Sequence, residues 1–153
     1  MNPPVRSAQD REAILEGLCD GTLEILASDH APHAKHEKDV EFDYAPFGVT
    51  GLETELALSL MQLHHSNRLS LTELLAKYTV NPARLLNLDK GTLNKGAIAD
   101  ITVFDPDMEW IYDASIDIGK SANSPFNNWQ LRGRTTTTIV AGRIVWRLQT
   151  VVA

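Results

Sequence analysis

The sequence lacks the features typical of secreted, membrane-spanning and nucleic-acid-binding proteins. A single cysteine, Cys19, excludes an internal disulfide and fits a reducing compartment. No apolar run approaches the roughly 20 residues that a transmembrane helix needs, and no signal peptide is recognisable. Acidic residues outnumber lysine and arginine by 20 to 14, so no basic patch predicts a nucleic-acid partner. We therefore expect a cytoplasmic protein that binds neither membrane nor nucleic acid.

The remaining composition is that of a globular protein, with 43% hydrophobic and 22% charged residues in a chain of 153. This length suffices for one domain with a core, or for a piece of a larger protein.

The most informative stretch is Ser28-Asp-His-Ala-Pro-His33, which follows a short apolar run at 23–27. Leucine and isoleucine in that run predict a buried strand. In a parallel α/β barrel the loops after the strands line the active face, so a carboxylate and two imidazoles there indicate a catalytic site. The alternative is that Asp29 only caps a helix or shapes a turn.

Local signals predict four helices. Two begin at capping boxes, Ser7 with Asp10 and Ser70 with Glu73. One follows from leucines at helical spacing, and the last begins at the Asn81-Pro82 pair. The predicted spans are about 8–19, 51–63, 71–78 and 83–88.

Residues 34–49 carry charged side chains without a helical or strand period. The sequence predicts a functional loop or lid here, or a disordered connection, with solvated charges that include His36.

The local composition changes near residue 90, where glycine and proline begin to separate short runs rich in β-branched residues. Residues 135–140 and 144–146 predict a hairpin with a three-residue loop between them. The chain therefore divides into residues 1–89 and a small antiparallel β unit over residues 90–153.

Several separate stretches, in this order, share one pattern. They are Met1-Asn-Pro-Pro-Val-Arg6, Asp20-Gly21, Ser28-Asp-His-Ala-Pro-His33, Ala45-Pro-Phe-Gly48 with Gly51-Leu-Glu-Thr54, Asn81-Pro-Ala-Arg84, Gly96-x-x-Ala-Asp100 and Asn123-Ser-Pro-Phe126. Together they resemble the zinc-dependent dihydroorotases of the amidohydrolase superfamily. The Asp-His-Ala-Pro-His and Pro-Phe-Gly pieces are the most specific.

The resemblance covers only the family's C-terminal part. It implies an α/β fold: the last strand and flanking helices of a distorted (β/α)₈ metal-dependent hydrolase barrel, plus the C-terminal share of a small β-sandwich. Such a barrel needs about 250 residues. The chain is then an excised fragment, a truncated gene product or one of two polypeptides. Its expected partners are the small-molecule substrate and the remainder of the barrel or a second polypeptide, with a homo-oligomer as a further expectation.

The implied activity is the reversible cyclisation of N-carbamoyl-L-aspartate to L-dihydroorotate in pyrimidine biosynthesis, with the isolated chain inactive. The family site holds two zinc ions and a zinc-bound hydroxide, and most of the metal ligands lie outside this sequence. By resemblance, Asp29 ligates zinc and carries the proton. His33 binds the substrate carboxylate, Asn2 holds the pyrimidine ring, and Phe47 and Gly48 bond the ring through their backbone. His30 is expected to orient the Asp29 carboxylate.

Three alternatives stay open at this point. Amidohydrolases of other cyclic amides, the hydantoinase and allantoinase group, share the aspartate-bearing strand. A non-catalytic, partner-binding module is a second possibility. The third is a self-contained zinc site formed by His30, His33 and His36, although Pro32 interrupts any helix that would align them and a fourth ligand is needed.

Overall fold

The computed structural model of the chain describes residues 2–149 and has an α/β architecture with one small antiparallel sheet. None of the helices in that range is long and apolar enough to cross a membrane. The elements are α1 (Ala8–Asp20), α2 (Lys35–Lys38), α3 (Glu55–Ser59), a π-helical segment (Leu60–His64), α4 (Leu71–Tyr78), α5 (Val80–Leu85), β1 (Ile101–Ile111), β2 (Gln130–Val140) and β3 (Arg143–Arg147).

Both predicted capping boxes are confirmed. The Ser7 hydroxyl accepts the Asp10 amide at 3.0 Å, and the Asp10 carboxylate accepts the Ser7 amide at 3.0 Å. Ser70 and Glu73 form the same reciprocal pair at the start of α4. Gly21 ends α1 with a φ of +88°, the left-handed conformation that glycine adopts without steric cost.

Two other helix predictions need correction. The helix expected over 51–63 begins only at Glu55, and from Leu60 it continues as a π-helical segment to His64. The helix expected over 83–88 is α5, which runs from Val80 to Leu85. Pro82 therefore lies within the first turn of α5, where its missing N–H removes no helical hydrogen bond.

The sheet has the order β1-β2-β3, with both pairs antiparallel. The β2–β3 hairpin is confirmed, but its turn has two residues, Ala141 and Gly142, and β3 already begins at Arg143. Both turn residues have positive φ angles, +48° and +77°. Such turns match the twist of the strands, which explains why the connection is shorter than predicted.

The strand predicted over residues 23–27 is not formed: residues 24–34 are neither helix nor strand. A parallel strand takes its hydrogen bonds from strands beside it. The described residues supply no strand next to this run, and the helices α4 and α5 meet part of its backbone instead.

Two hydrophobic clusters join the helices to the sheet. Leu60, Leu63 and Leu74 are almost fully buried in the first, and Phe104 of β1 packs against them. The second contains Ala57 together with Leu131 of β2 and its neighbours. Gly133, at a φ of +99°, lets the sheet approach closely, because a Cβ there would lie 2.3 Å from Leu60 Cδ1.

Replacement of Leu60 by alanine is expected to lower the free energy of unfolding by about 2–5 kcal/mol, because its side chain is 0% exposed and a cavity would remain. Urea denaturation measures the change. Leu93→Ala is the control, since Leu93 is 81% exposed, and we expect a change within about 0.5 kcal/mol. Equal effects of the two substitutions would contradict the assignment of Leu60 to the core.

Candidate active site

Asp29 follows the apolar run and projects its side chain into solvent. Its φ is +44°, in the left-handed region that aspartate tolerates better than most residues. Backbone strain of this kind is concentrated at functional sites. The carboxylate makes no hydrogen bond with the described residues, so its oxygens are free to bind a ligand.

The segment before Asp29 is held by α4 and α5. The ammonium of Lys77 donates to the Leu23 carbonyl at 2.7 Å, while the Lys77 carbonyl accepts the Leu26 amide at 3.2 Å. The Asn81 side chain donates to the Glu24 carbonyl at 2.8 Å. No sequence pattern indicates this role of Lys77, because a lysine within a helix is normally solvated; here it is only 6% exposed.

The loop that carries Asp29 and His33 lies against the loop that carries Phe47 and Gly48. The Ala31 amide donates to the Val49 carbonyl at 2.9 Å, and His33 Nε2 lies 2.9 Å from the Phe47 carbonyl oxygen. Gly48 is buried with a φ of +108°, and a Cβ there would lie only 2.4 Å from the Ala31 Cβ. The structure thus brings three of the predicted site residues together, His33, Phe47 and Gly48.

Lys38 links α2 to the second loop. The sequence predicted a solvated charge here, but the ammonium is bonded to backbone carbonyls instead. Its ammonium donates to the carbonyls of Pro46 at 2.5 Å and Gly48 at 2.7 Å. The predicted irregular loop also contains a helical turn, α2, which begins where the Glu37 carboxylate accepts the Ala34 amide at 2.7 Å. Nothing in the local sequence pattern indicates these partners.

His30 bonds to the backbone after the second loop. Its Nδ1 accepts the Gly51 amide at 3.1 Å, so a neutral His30 ring carries its proton on Nε2. Within residues 2–149 no hydrogen bond joins His30 to the Asp29 carboxylate. The orienting role expected for His30 stays a prediction.

Two carboxyl groups near His30 hold their protons more tightly than usual. Burial raises the pKa of Glu53, and the negative charge of Asp117 raises it further. Burial likewise raises the pKa of Asp117, although its hydrogen bond with Tyr112 opposes the shift. Glu53 and Asp117 line one pocket together with Arg134.

A complete metal site is not found among residues 2–149, which contain no group of three His, Cys, Asp or Glu side chains able to hold a metal ion. One ring nitrogen of each histidine is already in contact with the backbone, His30 Nδ1 with the Gly51 amide and His33 Nε2 with the Phe47 carbonyl. Asp29, with its exposed and unbonded carboxylate, fits one ligand position of a larger site. Asn2 is exposed, and within the described chain no hydrogen bond joins it to either loop.

Comparison with known proteins gives one consistent family. The sequence model of the amidohydrolase family matches residues 4–145. The chain is 51% identical over 146 residues to the dihydroorotase of Clostridioides difficile (strain 630), covering 95% of this chain and 34% of that protein. It is 50% identical over 147 residues to the dihydroorotase of Geobacter sp. (strain M21), covering 96% of this chain and 34% of that protein. The chain therefore spans about a third of the length of these relatives.

Solved structures share the same fold. The L-hydantoinase (dihydropyrimidinase) of Arthrobacter aurescens superposes with a TM-score of 0.88 at 33% identity, over 99% of this chain and 35% of that one. The dihydropyrimidinase of Brevibacillus agri NCHU1002 superposes with a TM-score of 0.87 at 24% identity, over 95% of this chain and 33% of that one. Since the family's sequence model matches nearly the whole chain, the chain belongs to the amidohydrolase family.

Proposed function

We propose that the chain is part of a dihydroorotase, which interconverts N-carbamoyl-L-aspartate and L-dihydroorotate in pyrimidine biosynthesis. Identity of about 50% to two dihydroorotases over nearly the whole chain supports this activity. The observation that carries it is the contact between the two loops, where His33 Nε2, on the loop that also carries the exposed Asp29, lies 2.9 Å from the Phe47 carbonyl.

The whole protein would contain a (β/α)₈ barrel. In this proposal residues 1–89 form its C-terminal end, and residues 90–153 contribute to a small β-sandwich. The Ile25 and Ala27 amides support the barrel, because neither donates a hydrogen bond within the described residues and a neighbouring strand from outside this chain would supply acceptors. The remainder of the barrel, in the same or a second polypeptide, is therefore the principal partner. We also propose that the completed protein forms a homo-oligomer.

Asp29 would carry the proton. In the hydrolytic direction it takes a proton from the attacking water as oxygen bonds to the ring carbonyl carbon. It then delivers that proton to the ring nitrogen as the C–N bond breaks. Ring closure runs the same steps in reverse: the C–N bond forms, the C–O bond breaks, and water leaves. The exposed, unbonded carboxylate supports this role.

The substrate would bind between the two loops. His33 would bind the substrate carboxylate, which would replace the Phe47 carbonyl as the acceptor of the Nε2 proton. The backbone of Phe47 and Gly48 would bond the ring, which can approach closely because Gly48 has no Cβ. Asn2, near the start of this chain, would also hold the ring.

Zinc is the proposed metal, with two ions in the complete site. Zinc supplies Lewis-acid activation of water and of the ring carbonyl. From this chain only Asp29 would bind it, and the other ligands would come from residues outside the chain. The cytoplasm is the proposed compartment, supported by a single, exposed, unpaired cysteine.

A second candidate is hydrolysis of another cyclic amide. The superposition on L-hydantoinase, with a TM-score of 0.88 and 33% identity, favours it. The dihydroorotase proposal fits better, because identity to the dihydroorotases is higher. A non-catalytic module that only binds a partner is the remaining alternative, and measurements of activity on both substrates distinguish all three.

The activity is tested in a chimera in which this chain replaces the matching third of the Clostridioides difficile relative. We expect the chimera to cyclise N-carbamoyl-L-aspartate with zinc and to be much slower on hydantoin. The isolated chain with zinc should show no turnover, because most ligands are missing. Turnover by the isolated chain would contradict the proposed dependence on the rest of the barrel, and hydantoin preference would favour the second candidate.

Asp29→Asn in the chimera is expected to lower kcat by about 10²–10⁴-fold, because an amide cannot carry the proton. Asp39→Asn is the control, since Asp39 is an exposed residue at the end of α2. Steady-state kinetics and bound zinc are measured for both. A kcat for Asp29→Asn equal to that of the control would exclude Asp29 as the proton carrier.

Gly48→Ala is expected to lower kcat/KM in the chimera by about 10²-fold, because the new methyl group would push the two loops apart. Gly96→Ala is a matched control: Gly96 also has a positive φ, +92°, but a methyl group there would meet nothing within 4 Å. Backbone strain is common to both variants and the clash only to one. Equal losses in both would show that contact between the loops is unimportant.

A further inference from the structure

We infer that Asn123 is a positioning residue that holds the Asp29–His33 loop and the Phe47–Gly48 loop in one arrangement. The link to catalysis rests on the proposed function, whereas the link between the loops does not. Asn123 lies in the segment between β1 and β2, and nothing in the sequence indicates a role for it beyond the Asn-Ser-Pro-Phe pattern.

Both polar atoms of the Asn123 side chain, Oδ1 and Nδ2, form hydrogen bonds. Its Oδ1 accepts the His33 amide at 3.1 Å. Its Nδ2 donates to the Ala31 carbonyl at 3.0 Å and to the Gly48 carbonyl at 3.4 Å. Its backbone carbonyl accepts the Thr50 amide at 3.2 Å. The side chain of this one half-buried residue therefore contacts both loops across 75 to 92 positions of sequence.

The chemistry of these contacts requires an amide. One N–H and two carbonyls face the side chain, so a flipped amide would set its oxygen against two carbonyl oxygens. Aspartate has the same shape but cannot donate when ionised, and it would repel the carbonyls of Ala31 and Gly48. Alanine would remove every side-chain bond. The two substitutions therefore test different parts of the same contact.

These bonds bear on binding because they end on residues beside the proposed substrate contacts. Asn123 fixes the His33 backbone, and it meets Gly48 at the carbonyl that also accepts Lys38. If the loops separate, His33 and the backbone of the second loop no longer face one ligand together. A positioning role of this kind acts mainly on KM. Simple loss of folded protein would lower the apparent kcat and leave KM unchanged.

Hydrogen exchange of the chain followed by NMR tests the link between the loops. In Asn123→Ala the His33 amide should exchange at least about fivefold faster, as loss of one hydrogen bond predicts. In Asn123→Asp the Ala31 amide should exchange faster, because repulsion opens its bond to Val49. The Thr50 amide, bonded to the Asn123 backbone, serves as an internal reference.

Asn127→Ala is the matched control, because Asn127 also accepts a backbone amide through Oδ1, that of Ala114 at 2.9 Å, but touches neither loop through a hydrogen bond. Unchanged exchange at His33 and Ala31 in both Asn123 variants would overturn the proposal. So would equal changes in the control.

Kinetics of the chimera test the link to catalysis. Both Asn123 variants should raise KM for N-carbamoyl-L-aspartate at least about tenfold, with a smaller change in kcat, whereas Asn127→Ala should change neither. Faster exchange together with an unchanged KM would overturn the positioning role. An inactive parent chimera would count against the proposed function instead, and the exchange result would then decide the link between the loops.

Discussion

Lys77 bonds at two places to the segment that leads to Asp29, through its ammonium to Leu23 and through its carbonyl to Leu26. A buried ammonium needs a hydrogen-bond acceptor, and a run without a neighbouring strand needs partners for its backbone. The two requirements are met by the same contact. The placement of Asp29, and of the loop that continues to His33, depends on it.

The candidate site is assembled from distant parts of the chain. The loop after Leu26 supplies Asp29 and His33, the second loop supplies Phe47 and Gly48, and Asn123 bonds to both. Backbone groups provide most of these contacts, and Gly48 allows the loops to lie close together. Metal binding is different, because the described residues contain no group of three His, Cys, Asp or Glu side chains able to hold a metal ion, and Asp29 is the one ligand proposed from this chain. The two loops are thus held together within this chain, whereas the proposed metal site needs residues from outside it.

Features encoded by neighbouring residues could be predicted from the sequence. The capping box at Ser7 and the hairpin after Val140 are local; the capping box formed as expected, and the hairpin formed with a turn one residue shorter than predicted. Long-range contacts could not be predicted. In the sequence Lys38 is predicted to be solvated, and only the folded structure places the carbonyls of the second loop beside it. Asn123 belongs to the Asn-Ser-Pro-Phe pattern, but that pattern does not indicate its hydrogen bonds to the two loops. The predicted strand at 23–27 failed for the same reason, since its pairing depends on residues elsewhere.

Hydrogen exchange at Ile25 and Ala27 tests most directly whether this chain is one part of a larger barrel. Neither amide donates a hydrogen bond within the described residues, whereas Leu26 is bonded to Lys77. We expect both amides to exchange rapidly in the isolated chain and to become strongly protected in the chimera, where a neighbouring strand is available. Protection already present in the isolated chain, or absent from a folded chimera, would contradict the barrel.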